Sequence, residues 1–417
     1  MTDTSRASGA TLTLVLLAAA GTFALTMGAR QSMGLFLGPL NTQTGLGLAS
    51  ISLAFAFGQL WWGLTQPFAG MAADRFGAGR VMVVGIVMLA LGTVLVPLMT
   101  TTAGLILAIG VLAAGGSGMA GPAVLMGATT RLVPADKRGV ATGIVNAGGS
   151  FGQFVFAPLA AFITVTAGWV TAVQALGVIT LLALPAAWVL RGASHTPAGS
   201  PTAPAAPRES IGAVLSRASR TPSYLMLCAG FFVCGFHVAF IATHLPGVVA
   251  SCQLPPQVGA WALGTIGLFN IVGSLAVGWA VGFQGGRWRM KSLLSLIYAT
   301  RAVAVLVFLL APKTNTTMLV FAAVIGVTYL STVPPTAGLV AKMFGPAHMA
   351  TLFGVVMLAH QMGGFLGAYL GGKSFEWTGA YDWMWYADIL LAVGAALVHL
   401  PIREARRGEP ALGGVPA

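Results

Sequence analysis

The sequence predicts an all-α membrane protein with twelve transmembrane helices that form two six-helix bundles. Of the 417 residues, 57% are hydrophobic and only 7% are charged, whereas a soluble domain has roughly 25% charged residues. Apolar stretches of about 20 residues, the length that crosses a bilayer as a helix, follow one another along the chain. They are too long for barrel strands, and in lipid only helices and closed barrels satisfy their backbone hydrogen bonds.

Twelve spans can be drawn in order, and we number them span one to span twelve. They cover residues 11–38, 49–73, 81–100, 103–130, 140–164, 168–190, 223–249, 257–283, 292–311, 317–343, 351–372 and 383–401. The segment 192–222 is rich in Pro, Ala, Ser and Thr, which is typical of a linker, with one short amphipathic helix near residues 209–218. We therefore expect an N-terminal bundle of residues 1–191, a cytoplasmic linker, and a C-terminal bundle of residues 223–417 that ends in a short cytoplasmic tail.

The positions of the basic residues predict the orientation. Of the 21 Lys and Arg, Arg30 and Arg301 lie inside predicted spans, and Lys313 and Lys373 fall on the outer side. The other 17 fall on the side of the N-terminus, so the positive-inside rule places both termini in the cytoplasm. We expect a multi-pass protein of a bacterial cytoplasmic (inner) membrane with a retained first helix. The net charge of +12 then reflects topology and predicts no nucleic-acid partner.

The composition also excludes several chemical classes. The three cysteines, Cys228, Cys234 and Cys252, are too few and wrongly spaced for a disulfide framework or a zinc site. We find no nucleotide, haem or iron–sulfur motif, and no pairing of a nucleophile with a base. We therefore expect no cofactor, no bound metal and no enzyme activity.

The two halves of the chain repeat. Four pairs of residues recur at an offset of 207 to 212 residues: Pro39 with Pro246, which are expected to end spans one and seven, Gly70 with Gly278, Pro122 with Pro334, and Pro134 with Pro346. A fixed period indicates a duplicated unit. In transporters built from two such parallel repeats the binding site lies at the repeat interface, near the bilayer midplane.

A glycine-rich motif, GMAADRFGAGR, follows span two at residues 70–80 and contains Gly70, Asp74, Arg75, Gly77 and Arg80. It matches G-x-x-x-D-R-x-G-x-x-[R/K] and resembles the loop motif of the major facilitator superfamily. The resemblance implies the major facilitator fold and a gating role for the motif. In that role the aspartate holds a helix end of the other half and stabilises the state closed to the cytoplasm. The alternative is that the arginines only anchor the topology.

The second copy of the motif, GWAVGFQGGR at residues 278–287, has Gly282 where Asp74 stands. A narrower resemblance lies in RLVPADKRGVATGI (131–144), in the NAGGSFGQFVFAPL that follows, and in GARQSMGLFLGPL of span one. These stretches resemble the monocarboxylate porter family and its oxalate–formate antiporter branch. That branch often carries a basic residue in span eight, where this chain has none and Ser274 lies near its place. Span eleven has His360 in place of a lysine, so the substrate is not carried over.

Arg30 is the most informative single residue of the sequence. Thr22, Thr26, Arg30 and Gly34 recur at intervals of four, so they share one stripe of span one. The resemblance implies that spans one, four, seven and ten line the cavity. A charge inside the membrane costs roughly 2.5 kcal/mol or more, and a substrate carboxylate, gripped bidentately, would offset that cost. The alternatives are that Arg30 snorkels to the outer interface or hydrogen-bonds to carbonyls of a neighbouring helix.

The repeat adds histidines to the candidate site. His237 lies 207 residues after Arg30, which predicts that the two face one cavity from opposite halves. Histidine titrates near neutral pH, so His237 and His360 are the candidates for proton coupling or a substrate hydrogen bond; the alternative for each is a packing residue. The other expected substrate-binding residues are polar side chains inside spans: Gln31, Asn146, Asn270 and Tyr329.

Two further features concern the helices themselves. Arg301 in span nine is expected to form a structural ion pair with Asp388 of span twelve, the carboxylate deepest inside a span, with substrate contact as the alternative. Pro334 and Pro335 predict a kink in span ten, and GGSGMAGP predicts a break in span four. Such breaks free backbone groups that can line a cavity.

Together these features predict a secondary active transporter that works by rocker-switch alternating access. We expect a small organic anion as substrate, with a monocarboxylate as the first candidate and Arg30 as its anchor. Proton symport and anion exchange both stay open. The alternative is an exporter of amphiphilic or drug-like compounds, and a third reading is a transporter-like sensor. The expected partners are the small carboxylate, protons and the lipid bilayer, for a protein that acts as a monomer.

Overall fold

The computed structural model describes residues 9–133, 138–191, 211–282, 288–344 and 349–404. Across these ranges the chain is helical and forms no strand, which confirms the predicted all-α membrane fold. The chain divides into two compact units, residues 1–200 and 201–417. The boundary falls within the predicted linker, of which residues 192–210 lie outside the described ranges. The end of the linker forms the short helix Ile211–Ser219.

The first unit contains spans one to six. Span one comprises helices Gly9–Ser32 and Leu37–Thr44, joined by the 3-10 turn Met33–Phe36; span two is Leu48–Phe76; span three is Ala78–Leu95 with the 3-10 turn Val96–Leu98; span four comprises Thr102–Leu105, the π-helical stretch Ile106–Ala114, Gly115–Met119 and Pro122–Leu132; span five is Arg138–Ala167; span six comprises Trp169–Thr180, the 3-10 turn Leu181–Ala183 and Leu184–Leu190.

The second unit contains spans seven to twelve. Span seven is Pro222–Ser251, span eight is Pro256–Gly282, span nine is Met290–Leu310, span ten comprises Asn315–Thr328 and Val333–Phe344, span eleven is Met349–Thr378, and span twelve is Asp382–His399. Eleven helices of the described ranges are long and apolar enough to cross a membrane. The twelfth is Asp382–His399, an 18-residue helix whose aspartates, aromatic residues and terminal histidine lower its mean hydropathy.

Two prolines expected to end helices do not end them. Span one was expected to stop near Pro39, yet a helix restarts at Leu37 and runs to Thr44, where Gly45 closes it at φ 65°. Pro39 lies in the first turn of that helix, where the N–H that proline lacks has no intrahelical partner. Pro246 lies inside the helix Pro222–Ser251. A proline within a membrane helix is tolerated where neighbouring groups satisfy the freed backbone.

The two predicted helix breaks are confirmed. Span four is interrupted at residues 120–121, and Pro122 then starts the next helix in its first turn. Span ten is interrupted at residues 329–332 before Val333, with Pro334 and Pro335 in the first turn of the second helix. Proline favours the first turn because its fixed φ suits the helix and its missing N–H costs nothing there. Each break leaves backbone groups without intrahelical partners.

Small residues let two helices approach closely in each unit. In the first unit, a Cβ atom on Gly152 of span five would lie 2.7 Å from the Cα of Ala24 in span one. In the second unit, a Cβ atom on Gly363 of span eleven would lie 2.8 Å from the carbonyl carbon of Phe232 in span seven. Close approach at small residues is how membrane helices pack. Gly152 and Gly363 are 211 residues apart, so the same contact occurs at matching positions of the repeat.

Candidate functional site

Arg30 lies in the last turn of the first helix of span one, just before the 3-10 turn. Its guanidinium donates a hydrogen bond to Oε1 of Gln59 in span two. The same guanidinium lies 4.7 Å from the ring centroid of Trp62, one turn further along span two. A Gln oxygen and an aromatic face both stabilise a cation without carrying a charge themselves. The side chain of Arg30 is only partly buried.

The other polar members of the Arg30 stripe turn inward to their own helix. The hydroxyl of Thr22 donates to the carbonyl of Ala18 at 2.8 Å, and that of Thr26 donates to the carbonyl of Phe23 at 3.4 Å. Both threonines are buried. Arg30 is therefore the residue of this stripe whose polar group is seen to contact another helix.

The remaining candidates of the first unit differ in exposure. Gln31 is buried beside Arg30 in sequence, whereas Asn146 of span five is exposed. Gln153, two turns after Asn146, is buried, and its Nε2 has no hydrogen-bond partner within the part of the chain that the structure describes. A buried amide of this kind is uncommon in folded proteins.

Polar side chains of the second unit hold the break in span ten. Arg301 donates hydrogen bonds to the carbonyls of Thr328 and Tyr329, the latter at 2.6 Å. Asn270 Oδ1 of span eight accepts a hydrogen bond from the backbone N–H of Leu330 at 3.0 Å. Ser274 donates to the same Asn270 oxygen at 3.2 Å. Side chains of spans eight and nine therefore form hydrogen bonds with backbone groups at the break, which lack partners within the helix.

Tyr329 is part of the same arrangement. Its hydroxyl donates to the carbonyl of Val238 in span seven at 3.0 Å, and the side chain is fully buried. Tyr329 and Asn270 were predicted as substrate-binding residues, and each forms a hydrogen bond with a backbone group of its own unit. Both residues thus have a structural contribution beside any contact with substrate.

The predicted ion pair between Arg301 and Asp388 is replaced by a different contact. Nε2 of His237 lies 3.4 Å from Oδ1 of Asp388, while Arg301 directs its hydrogen bonds to the carbonyls of span ten. No hydrogen bond from Arg301 reaches the carboxylate, both of whose oxygens are buried without a hydrogen-bond partner in the described part of the chain. His237, Arg301 and Asp388 still line one small cavity, but the carboxylate of Asp388 faces His237.

The other histidines of the second unit divide into two groups. His244 shares a hydrogen bond of 2.7 Å with the carbonyl of Ala368 in span eleven, and His399 shares one of 2.6 Å with Ala395 of its own helix. These contacts are typical of packing residues. His360 is buried with its ring centroid 4.9 Å from that of Phe231. Neither of its ring nitrogens has a hydrogen-bond partner among the described residues, so its predicted role stays open.

The glycine-rich motif forms a one-residue turn between spans two and three. Gly77 adopts φ 94° between Phe76 and Ala78, a region of backbone space that favours glycine. Asp74 forms an ion pair with Arg131 at the end of span four. The guanidinium of Arg75 lies 5.2 Å from the ring centroid of Phe76, and Arg80 is exposed. Arg131 was not singled out from the sequence. Its position at the end of span four, on the same predicted side of the membrane as Asp74, could have indicated it as a partner.

The sequence model of the Major Facilitator Superfamily matches residues 16–300 and 253–415 of the chain. An uncharacterized MFS-type transporter of Bacillus subtilis is 25% identical over 86% of this chain and 87% of its own length. Monocarboxylate transporter 13 of Rattus norvegicus is 25% identical over 93% of this chain and 88% of its own. The oxalate:formate antiporter of Oxalobacter formigenes is 24% identical over 85% and 83%.

Solved structures agree with the fold. A bacterial homologue of the human lysosomal transporter Spinster, in an inward-facing and occupied conformation, superposes with a TM-score of 0.72 and 15% identity. The match covers 95% of this chain and 97% of that chain. A D-xylose–proton symporter superposes with a TM-score of 0.65 at 15% identity, over 96% and 98%. At this identity the likeness concerns the fold alone.

Proposed function

This chain belongs to the major facilitator superfamily and is a multi-pass membrane transporter, and we propose that it is a secondary active transporter of a small organic anion. Within that class a monocarboxylate is the first candidate. The proposed transport mechanism is rocker-switch alternating access. It resides in the cytoplasmic membrane of a bacterium with both termini in the cytoplasm, as the distribution of basic residues favours.

The observation that carries the proposal is the orientation of Arg30. The guanidinium sits within a membrane-spanning helix, partly accessible, with Gln59 and Trp62 of span two on it. A guanidinium presents five N–H donors in a planar fork, and Gln59 accepts one hydrogen bond from it. The fork matches a carboxylate in shape and charge. A residue held in this way is oriented before the anion arrives, which lowers the entropic cost of binding.

Trp62 suits the same class of ligand. Its ring lies over one face of the guanidinium and is itself apolar, with 8% of the residue exposed. A small monocarboxylate has a charged end and an apolar end, so one residue pair can serve both. A dicarboxylate would need a second cation, which spans eight and eleven do not carry within their predicted ranges.

The relatives favour the same class. Among the proteins similar to this chain, those of rat and mouse are named monocarboxylate transporters and that of Oxalobacter formigenes an oxalate:formate antiporter. All of these names concern carboxylates. At 24–27% identity they support a class of substrate and leave the individual acid to experiment.

The test is uptake into proteoliposomes that contain the purified protein, across a panel of radiolabelled monocarboxylates, dicarboxylates and the matched neutral amides. We expect uptake of at least one monocarboxylate and none of its amide. Arg30→Gln should abolish this uptake, and Arg30→Lys should weaken it, because an ammonium lacks the planar fork. Uptake by Arg30→Gln at the wild-type rate would refute the anchor. Export of amphiphilic compounds without uptake of any acid would replace the proposed function by the alternative.

A further inference from the structure

A small cavity lies inside the second unit, away from Arg30 in the sequence and within a single unit. Its lining includes His237 of span seven, Arg301 of span nine, Tyr329 at the break of span ten and Asp388 of span twelve. The cavity has room for about one water molecule. His237, Arg301 and Asp388 are each at least 96% buried.

Several polar atoms of this lining have no hydrogen-bond partner in the described part of the chain. They are both carboxylate oxygens of Asp388, Nε2 of His237 and Nη1 of Arg301. Buried polar groups are almost always hydrogen-bonded, so four such atoms on three adjoining side chains call for an explanation. A purely structural ion pair would be expected to satisfy them, because an unsatisfied buried charge is costly.

Ionisable groups from spans seven, nine and ten lie around Asp388. Span seven contributes His237 at 3.4 Å and, one turn earlier, Cys234, whose Sγ lies 3.8 Å from Arg301 Nη2. Span nine contributes Arg301 and also Tyr298, whose hydroxyl is committed to the carbonyl of Gly230 at 2.6 Å. Span ten contributes Tyr329, committed to Val238. His237 is thus the base that faces the carboxylate directly.

We propose that Asp388 and His237 form a proton-binding site, a pair that takes up one proton from water and holds it between the carboxylate and the imidazole. In the unprotonated state Asp388 is an anion and His237 is neutral. The added proton forms an O–H bond on Asp388 that donates to Nε2 of His237. This changes the charge of the pair from −1 to zero, and release to water reverses the step. Interacting groups of this kind titrate as a pair.

Arg301 connects this site to the broken helix. Its guanidinium binds the carbonyls of Thr328 and Tyr329 and also faces the cavity. When the pair carries a negative charge, Arg301 is attracted to it; when the pair is protonated, that attraction is lost and the carbonyls of span ten alone hold the cation. The proton therefore biases the position of Arg301, and through it the break at residues 329–332. Ionisable residues buried in a membrane span mark proton relays in other transporters.

The inference rests on the proposed transport function for its purpose, since proton binding would couple the anion to a proton gradient, but its test needs no substrate. The purified full chain is titrated with acid and followed by difference infrared spectroscopy. The chain has only nine Asp and Glu, so the C=O stretch of a protonated acid is readily assigned. We expect one band from a buried protonated acid in the wild type. Asp388→Asn should remove the band, and Asp388→Glu should shift its frequency. His237→Gln should change the pH at which the band is half formed.

Asp382→Asn is the matched control, because Asp382 is an exposed acid at the start of the same helix, and it should leave the band unchanged. If Asp388→Asn does not fold, the frequency shift in Asp388→Glu decides the question. A wild-type spectrum without such a band, or a band that Asp388→Glu leaves unshifted, would show that Asp388 never takes up a proton and would overturn the proposal. That result would leave anion transport through Arg30 intact, and the uptake panel tests that separately.

Discussion

Nζ of Lys342 lies 2.7 Å from Oε1 of Glu404, and Lys342 stands 211 residues after Arg131, at the matching place of the repeat. Arg131 pairs with Asp74 in the first unit. The second copy of the loop motif has lost that acid, since Gly282 replaces it. In the second unit Glu404, which follows span twelve, takes over as the acidic partner. An ion pair thus lies at the end of span four in the first unit and of span ten in the second, although the acids come from different parts of the sequence.

The two ion pairs should differ in strength. The basic side chains are equally exposed at 36%, but Asp74 is 63% exposed and Glu404 only 5%. The backbone N–H of Lys291 also donates to Glu404 at 3.3 Å. Asp74→Asn should lower the free energy of unfolding by about 0–1 kcal/mol, as for other surface pairs. Glu404→Gln should lower it by about 1.5–3 kcal/mol, because the shielded negative charge that accepts hydrogen bonds from Lys342 and Lys291 is replaced by a neutral amide.

Thermal unfolding of the purified protein in detergent, followed by tryptophan fluorescence, measures both changes. Glu376→Gln is the control, because Glu376 belongs to a pair with Lys373 in which both side chains are about one-third exposed. It should behave like Asp74→Asn. Equal melting temperatures for all three variants would contradict the assigned difference.

The ion pair of Asp74 should matter more for transport than for stability. If Asp74 acts through Arg131, then Asp74→Arg and Arg131→Asp should each reduce uptake of the best acid of the panel. The double variant Asp74→Arg, Arg131→Asp should recover part of it, because the pair is restored with its charges exchanged. Proteoliposome uptake measures all three. If Asp74 acts only on a helix dipole of the other half, the double variant will be no better than Asp74→Arg alone.

The sequence was sufficient for the twelve spans and for the two helix breaks, because apolar length and proline position are local properties. It was not sufficient for the partner of Asp388. Spans seven, nine and twelve each carry one candidate residue, and which of them meet depends on how each helix is rotated about its axis. Membrane helices give little sign of that rotation in their composition, since lipid and protein interior are both apolar. The prediction therefore found Arg301 and Asp388 but missed that His237 lies against the carboxylate.

Helix ends show the same limit on a smaller scale. Pro39 predicted an end, because proline cannot continue a helix from within. The short 3-10 turn Met33–Phe36 allows a new helix to start before Pro39, which places this proline in a first turn. The partner of Asp74 was missed for a related reason: Arg131 lies 57 residues away in the sequence, and only the folded first unit brings the ends of spans two and four together.

The contact between spans seven and eleven makes a prediction about glycine. A Cβ atom on Gly363 would lie 2.8 Å from the carbonyl carbon of Phe232, whereas one on Gly354 of the same helix would meet nothing within 4 Å. Gly363→Ala should lower stability by about 1–3 kcal/mol, as overpacking does elsewhere. Gly354→Ala should be neutral or raise stability by up to about 1 kcal/mol, since alanine is the better helix former. Melting temperatures of the two variants check this, and a stable Gly363→Ala would show that the helices can separate at no cost.

The last prediction concerns the orientation of Arg30. Gln59→Leu keeps the charge of Arg30 and the approximate volume of the side chain but removes the oxygen that receives its hydrogen bond. Losing one hydrogen bond of about 1 kcal/mol corresponds to roughly a fivefold loss of affinity. We expect the KM for the best monocarboxylate to rise by about that factor while the maximal rate changes little, because the anchor is still present but less well held. Gln43→Leu is the matched control, because Gln43 donates to the carbonyl of Pro97 at 3.2 Å at the end of span one and its loss should leave KM unchanged. If Gln59→Leu leaves KM unchanged while Arg30→Gln abolishes uptake, Arg30 remains the anchor and the role of Gln59 in orienting it is rejected.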